Sequence, residues 1–466
     1  MRRVLLLAAV AALAGCSVTP PYRPPQLEVP ASWKTEPGWQ LAKPDDAAVR
    51  GAWWHSFGDA QLDALEAQAL AANPNLDAAA ARLAQARSQV DVQASGLFPQ
   101  LSTSMRAARQ EISANRPLTN YNAPNFQTVQ NDFGLSFSVA YEADLWGRVH
   151  STVDAARALA EQTAADFQNV RLVLTTDLAA NYFNLRELDI ELDVLAQSIA
   201  LQRRALDLAT ARHQLGATSG LDVAQQQALL DQTLTQVDVL RRQRSQFETA
   251  IAALIGRPAP LFAVPAEITP RSAPAVPVAV PSEVLQRRPD VASAERAMAA
   301  ANAQIGIARA AYYPSVFLNP TLGVDSRNLG MLFDVPSLLW SFGVSVTQPL
   351  IDAGRTDANV AIAQAGYQLA VANYRRTVLT AMQEVQDGIN GSVALDRGLA
   401  QANLAEQSAQ RVLDLANDRY EGGAASYLEV ITAQQSLLTA QRQVAQLLGQ
   451  RLLVSVLLVK AVGGEW

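Results

Sequence analysis

A single cysteine, Cys16, and three histidines, His55, His150 and His213, are spread over 466 residues. One thiol excludes an intrachain disulfide and a cysteine metal cluster, and three histidines this far apart in sequence offer no obvious ligand set. Charge is scarce as well. Only 17% of residues are charged and the net charge is −6, which removes the basic surface that nucleic acid would need. With 49% apolar residues the chain is not a disordered polymer either. It has no GxxxxGK[ST] phosphate loop, no GxSxG nucleophile elbow and no metal-ligand spacing, so neither enzyme chemistry nor a cofactor or metal is expected. Beyond the first 16 residues no apolar run is expected to cross a bilayer as a helix, so any spanning structure would have to be built from strands.

The N-terminus accounts for the cysteine. "MRR" supplies positive charge, "VLLLAAVAAL" a short apolar run, and "LAGC" ends at Cys16. This is the layout of a secretory signal, too short to span, expected over residues 1–15. "LAGC" resembles the lipobox of bacterial lipoproteins, which implies cleavage before Cys16 and acylation of its thiol. Ser17, where an Asp would favour inner-membrane retention, points to the outer membrane. The proline-rich "SVTPPYRPPQLEVP" that follows is expected to form an extended tether.

The rest of the chain repeats itself. "DLWGR" at 144–148 and "DAGR" at 352–355 each end an alternating apolar stretch and open a long Ala- and Gln-rich one. Their glycines, Gly147 and Gly354, lie 207 apart, as do Asp222 and Glu429 in "GLDVAQQQALL" and "YLEVITAQQSLL". Pro74 and Pro289, and Pro99 and Pro314, lie 215 apart, so the first half carries 8 more residues between Pro99 and Gly147. A self-similarity of this length means two copies of one large unit. Between them, the prolines of residues 256–281 forbid a regular helix, and this connector is expected on the outside.

Each unit combines strands with a very long helical hairpin. Phe133, Leu135, Phe137, Val139 and Tyr141 alternate with small or polar residues, as do Trp340, Phe342, Val344 and Val346; Val316, Leu318, Leu322 and Val324 share a face. Such alternation predicts strands with one apolar face, at a length of about 9–11 residues that spans a bilayer when tilted. Two units supply four strands, too few to close a barrel, and open edges are not tolerated in lipid. A dimer would give eight strands and a side-chain-filled interior; a trimer would give twelve and a lumen. The helix after Gly147 has neither proline nor glycine from 148 to 215, about 100 Å at 1.5 Å per residue. Leu185, Leu188, Leu192, Leu195, Ile199, Gln202, Leu206 and Ala209 form a coiled-coil seam along it. In the second copy Gly388, Gly391 and Gly398 interrupt the pattern, and a local irregularity is expected there and at Asn181 and Asn184. Trp53 and Trp54 are expected as packing residues.

Taken together, "WWHSFGDAQLDALEAQALAANPNLDAAAARLAQAR", "LFPQL", "YEADLWGR", "RRPDVASAERAMAAANAQIGIARAAYYPS", "QPLIDAGR" and "YEGGAASYLEVITAQQSLL" cover nearly the whole mature chain. They resemble the outer membrane factors, the TolC-like ducts, and among them the OprM/NodT-type efflux lipoproteins. The resemblance implies an α+β fold: a homotrimer whose four strands per chain make a twelve-stranded outer membrane β-barrel, continued by a periplasmic α-helical coiled-coil barrel with a mixed equatorial domain. It implies passive export of drugs or metabolites, with a periplasmic membrane-fusion adaptor and an inner-membrane pump of the resistance-nodulation-division type as partners. A duct for type I protein secretion and a non-channel coiled-coil lipoprotein are the competing readings. The expected organisation is a signal at 1–15 and a lipid-anchored extended segment at 16–58. A first repeat follows at 59–255, with strands about 100–112 and 132–143 and a hairpin at 148–255. The connector leads to a second repeat at 282–460, with strands about 315–326 and 339–350 and a hairpin at 355–460, and a tail at 461–466. The strand-to-helix corners are Gly147–Arg148 and Gly354–Arg355. By motif position Leu428 resembles the family's apolar constriction, Thr432 stands where relatives place an aspartate ring, and Tyr420 and Asp222 match residues that link the hairpins when closed. Ala425 replaces the usual basic partner. Glu429 and Asp222 are the acidic candidates at this aperture.

Overall fold

A computed structural model describes residues 18–25, 29–34, 51–115, 126–274, 276 and 281–464. Cys16, the lipobox and the signal lie outside the described residues. The described helices are α1 (Ala60–Ala72), α2 (Pro74–Ala94), α3 (Arg148–Gln214), α4 (Gly220–Leu254), α5 (Pro281–Arg287), α6 (Pro289–Ala310), α7 (Arg355–Glu421) and α8 (Tyr427–Ala461). The strands are β1 (Gln100–Ile112), β2 (Thr128–Glu142), β3 (Ser315–Leu318), β4 (Thr321–Ser326), β5 (Leu338–Ser341) and β6 (Val344–Thr347). Helix dominates and one antiparallel sheet accompanies it, an α+β chain. It divides into two compact units. The first draws on the described parts of Met1–Pro25, Arg82–Thr163 and Ala294–Tyr374, the second on those of Gln26–Ala81, Ala164–Ser293 and Arg375–Trp466.

The first unit holds the sheet. β1 pairs with β2 along its whole length, β4 and then β3 pair with the other side of β2, and β5 and β6 continue outward from β4 and β3. Third and fourth strands are thus each split in two. Pro320 cannot donate to a ladder, which interrupts the third. The fourth breaks at Phe342 and Gly343 and ends at Thr347, short of the expected 350, because Pro349 follows. The register sorts the side chains. Leu101 faces Val139, Met105 faces Leu135, Phe137 faces Leu322, and Leu322 faces Trp340, so one face of the sheet is apolar. That face is not covered: Met105 is 83% and Trp340 73% exposed. The opposite face carries Ser102 hydrogen-bonded to Ser138 (2.8 Å), Ser104 to Ser136 (3.1 Å) and an Arg106–Asp132 ion pair.

The N-terminal segment is no free tether in its described part. Thr19 shares a 2.7 Å hydrogen bond with Ser151, Asn302 Nδ2 donates to the Pro20 carbonyl (2.9 Å), and the Tyr22 hydroxyl donates to Glu295 (2.5 Å). Ser151 of α3 and Glu295 and Asn302 of α6 thus fix the extended backbone along these helices.

The second unit is helical. Trp53, Trp54 and Phe57 are buried with Leu178, Tyr182, Phe183, Val385 and Val459 in one core, as the packing expectation for the two tryptophans has it. Asp59 caps α1 through Gln61 N and Leu62 N and also accepts from the Tyr182 hydroxyl (2.7 Å). On α3, Leu185, Leu188, Leu195, Ile199, Gln202 and Ala209 are all buried, which is the coiled-coil seam. Three expectations need correction. First, α7 runs unbroken through Gly388, Gly391 and Gly398, and α3 through Asn181 and Asn184. Gly388 is there for closeness: a Cβ on it would lie 2.8 Å from Leu458 Cδ1. Second, the connector is not merely external. Val264 and Val276 are buried in the core. Its backbone is held by Arg244 to the Val264 carbonyl (2.7 Å) and by Arg186 to the Pro265 carbonyl (2.8 Å), with Asp189 between the two guanidinium groups (2.7 and 2.6 Å). Third, α8 is long and apolar enough by composition to cross a bilayer, contrary to expectation; Leu452, Val456, Leu458 and Val459 spend that apolarity in the core.

Candidate functional site

The two corners lie in the first unit and are built alike. Gly147 and Gly354 both have positive φ, 76° and 83°, which a residue with a side chain adopts only at a cost, so the strand can turn directly into the helix. A carboxylate then caps each helix, from different positions. Asp144 accepts from His150 N (2.8 Å) and from the His150 ring (2.7 Å). Burial alone would raise the Asp144 carboxyl, but these hydrogen bonds outweigh it and hold the group below the usual carboxylate range. Asp352 accepts from Thr356 N (2.9 Å) and Gly354 N (3.0 Å), and the Thr356 bonds likewise lower it. Arg148 donates to both oxygens of Glu142, tying the helix start to the end of β2. Arg355 donates its backbone N–H to the Asp352 carbonyl (3.2 Å).

The hairpin tips lie in the second unit. After α3, Ala217 N donates to the Arg212 carbonyl (2.8 Å) around Gly216, φ 74°; after α7, Ala424 N donates to the Arg419 carbonyl (2.8 Å) around Gly423, φ 71°. The two turns are the same structure 207 residues apart. Beneath them Ala209, Leu229, Leu413, Ala416, Tyr427, Val430 and Ile431 form a small core.

The expected site residues divide into those held and those exposed. Leu428 is 54% exposed and free of the core, with Thr432 Oγ1 donating to its carbonyl (2.8 Å). Glu429 stands 3.6 Å from Arg419, both side chains about half exposed, so the pair is weakly coupled. Asp222 accepts from the Thr218 hydroxyl within its own turn. Tyr420 instead packs its ring 5.0 Å from that of Tyr427, with the Arg212 guanidinium 4.9 Å above it. The hydrogen bond of Asp222 stays within its own turn, while Asp222 and Tyr420 both lie close enough to Tyr427 to act on its phenol.

Among the described residues two side-chain links join the hairpins: the Arg442 guanidinium of α8 donates to Glu191 of α3 (3.1 Å) and to Gln236 of α4 (3.1 Å), and a second link lies nearer the tips. The buried Tyr427 hydroxyl of α8 donates to Gln226 Oε1 of α4 (2.9 Å), and Gln226 Nε2 donates to the Gln202 carbonyl of α3 (3.0 Å). Burial, then Tyr420 and Asp222, push the Tyr427 phenol up to about 12, so it stays a neutral donor. Leu221, 63% exposed, is the counterpart of Leu428 in the first hairpin. Subtracting 207 from 428 would have found it. Arg212 and Arg419 are likewise a pair at that offset, the first over the Tyr420 ring and the second beside Glu429. Among the described residues no cluster of His, Cys, Asp and Glu is arranged to hold a metal.

A family model described as outer membrane efflux protein matches residues 65–257 and 280–464. The pyoverdine export outer membrane protein OpmQ of Pseudomonas aeruginosa is 30% identical, across 100% of this chain and 97% of its own length. The toluene efflux pump outer membrane protein TtgC of Pseudomonas putida is 31% identical, across 100% and 96%. Among solved structures, the outer-membrane channel OprN superposes with a TM-score of 0.88 at 26% identity, covering 96% of this chain and 99% of its own. The open state of the Neisseria gonorrhoeae MtrE outer membrane channel superposes with a TM-score of 0.82 at 26% identity, covering 96% and 98%.

Proposed function

The chain belongs to the outer membrane efflux protein family and is an outer membrane efflux channel, and from that premise we propose how it assembles and closes. Three copies close one twelve-stranded barrel, and their hairpins line a periplasmic tube whose tips are the gate. The observation that carries this reading is the sheet of the first unit. Its apolar face is exposed, its other face is polar, and β1 on one side and β5 and β6 on the other have no further strand partner among the described residues. An exposed apolar face suits lipid, and unpaired edges in lipid require neighbours. With four strands per copy, three copies are the fewest that leave a lumen. The chain itself is a duplication. α3 and α7 each have 67 residues and α4 and α8 each have 35, with starts offset by 207 (355 − 148 and 427 − 220), which supports that reading.

The repeats run over 59–255 and 282–460, joined by the connector at 256–281. Cys16 carries the lipid, and 16–58 leads from it. A periplasmic adaptor and an inner-membrane pump supply the energy for export. OpmQ is named for pyoverdine export and TtgC for toluene efflux. Small organic molecules are the cargo proposed here. Leu428 and Leu221 narrow the aperture, with Glu429 and Asp222 favouring cations at its mouth. Native mass spectrometry in detergent tests the assembly: a trimer is expected, and a stable monomer or dimer alone would overturn the barrel. In planar bilayers Leu428→Ala is expected to raise conductance. Unchanged conductance would move the gate elsewhere.

A further inference from the structure

The seam on α3 contains one residue that apolar packing does not explain. Gln202 is buried to 1% exposure between Ile199 and Ala209. Its Nε2 donates to Ser198 Oγ (3.1 Å), but its Oε1 has no partner among the described residues. Exchanging the ends of the amide would let Ser198 donate instead and leave an orphaned N–H in place of the orphaned oxygen. On α8, Gln434 Oε1 is likewise buried without a partner among the described residues. Both residues line a cavity of about 120 Å³ between α3, α7 and α8, with Gln197 and Gln410 on its exposed rim. One water occupies ~30 Å³ of liquid, so the cavity has room for a few. Polar cavities of this size hold water, whereas dry ones are apolar, and an orphaned buried acceptor without water bears its full desolvation cost.

The cavity also falls where the apolar seam is interrupted. Leu188, Leu195, Ile199, Val237 and Leu438 belong to one cluster, and Ala209, Leu229, Leu413, Tyr427 and Ile431 to a separate one nearer the tips. We propose that this glutamine-lined cavity is a site for ordered water, and that it is the section at which the second hairpin shifts against the first when the tips part. The second clause rests on the aperture reading given above. Its physical basis is that interlocked apolar side chains resist sliding, while water re-forms its hydrogen bonds at each new position.

An experimental structure of the full trimer, at a resolution that shows solvent, tests the first clause. Ordered water within hydrogen-bond distance of Gln202 and Gln434 is expected; an empty cavity would overturn it. Bilayer recordings of Gln202→Leu/Gln434→Leu test the second, alongside Leu428→Ala. Filling the section with apolar side chains is expected to lower the open probability about tenfold, the effect of one interaction of ordinary strength. If Leu428→Ala alters conductance while the double variant opens as the parent does, the sliding section is refuted and the aperture stands. If neither changes, both readings fall. Gln434→Leu alone repeats the measurement if the double variant does not assemble.

Discussion

Glu66 on α1 is fully buried, and neither carboxylate oxygen has a hydrogen-bond partner among the described residues. Burial, and secondarily Asp63, push its pKa from 4.5 to about 9. The native protein therefore holds a neutral carboxylic acid in its core at physiological pH. The sign follows from linkage. Below pH 4.5 the group is protonated whether the chain is folded or not, and its full contribution to stability is present. Between pH 4.5 and 9 only the unfolded chain loses the proton, so stability falls as pH rises, and the loss levels off above 9. At about 1.36 kcal/mol per unit, three units from 4.5 to pH 7.5 amount to an upper bound of about 4 kcal/mol. Glu66→Gln keeps the shape and cannot ionise. It is expected to match the parent at pH 4 and to be more stable by a margin that grows through pH 9. Helical circular dichroism during thermal unfolding, at pH 4, 6, 7.5 and 9, reads this directly. A stability difference that does not change with pH would refute the neutral carboxyl.

Asp189→Ala leaves the buried Arg186 and its neighbour Arg244 facing one another without the anion between them, and should cost about 3–5 kcal/mol in thermal or denaturant unfolding. A loss below about 1 kcal/mol would mean that the connector is held mainly by Val264 and Val276. Tyr427→Phe strands Gln226 Oε1 in the tip core, for about 1–3 kcal/mol, and should also raise channel opening in bilayers.

The parts legible in the sequence were those written as local periodicity. A period of two placed Phe133, Leu135 and Phe137 on one face of β2, and three-four spacing placed Leu185, Leu188, Leu195 and Ile199 on the buried side of α3. The repeat offset carried both corners and both tips, because a constant spacing survives whatever the side chains do. What resisted reading was long-range pairing. Tyr427 meets Gln226 across 201 residues, and Asp189 meets Arg244 across 55, and no local pattern marks either contact. Gln202 was legible as a seam position but not as the wall of a cavity, since a cavity is defined by what three helices fail to fill. The capping carboxylates were hidden by register: Asp144 and Asp352 are offset by 208 rather than 207 and reach their helices by different bonds.

The three glycines of α7 were misread because glycine has two opposite uses in a helix, and the sequence does not distinguish them. As a weak point, each costs about 1 kcal/mol against alanine, and replacing any of them should stabilise. As a close approach, the outcome depends on what the missing Cβ would touch. At Gly388 it would lie 2.8 Å from Leu458 Cδ1 and 3.3 Å from Leu458 Cβ, and Leu458 is itself buried in the core. Gly391→Ala would place it 3.5 Å from Val454 Cγ1, and Gly398→Ala 4.0 Å from Leu447, both ordinary contact distances. Overpacking costs about 1–3 kcal/mol, more than the propensity gain at the first site and absent at the third. Gly398→Ala should therefore stabilise by about 0.5–1 kcal/mol, Gly391→Ala should lie near zero or slightly above, and Gly388→Ala should destabilise. Adding Leu458→Ala to Gly388→Ala should cost less than the sum of the single changes, because the clash is gone. Equal stabilisation by all three alanines would return the glycines to the role of weak points.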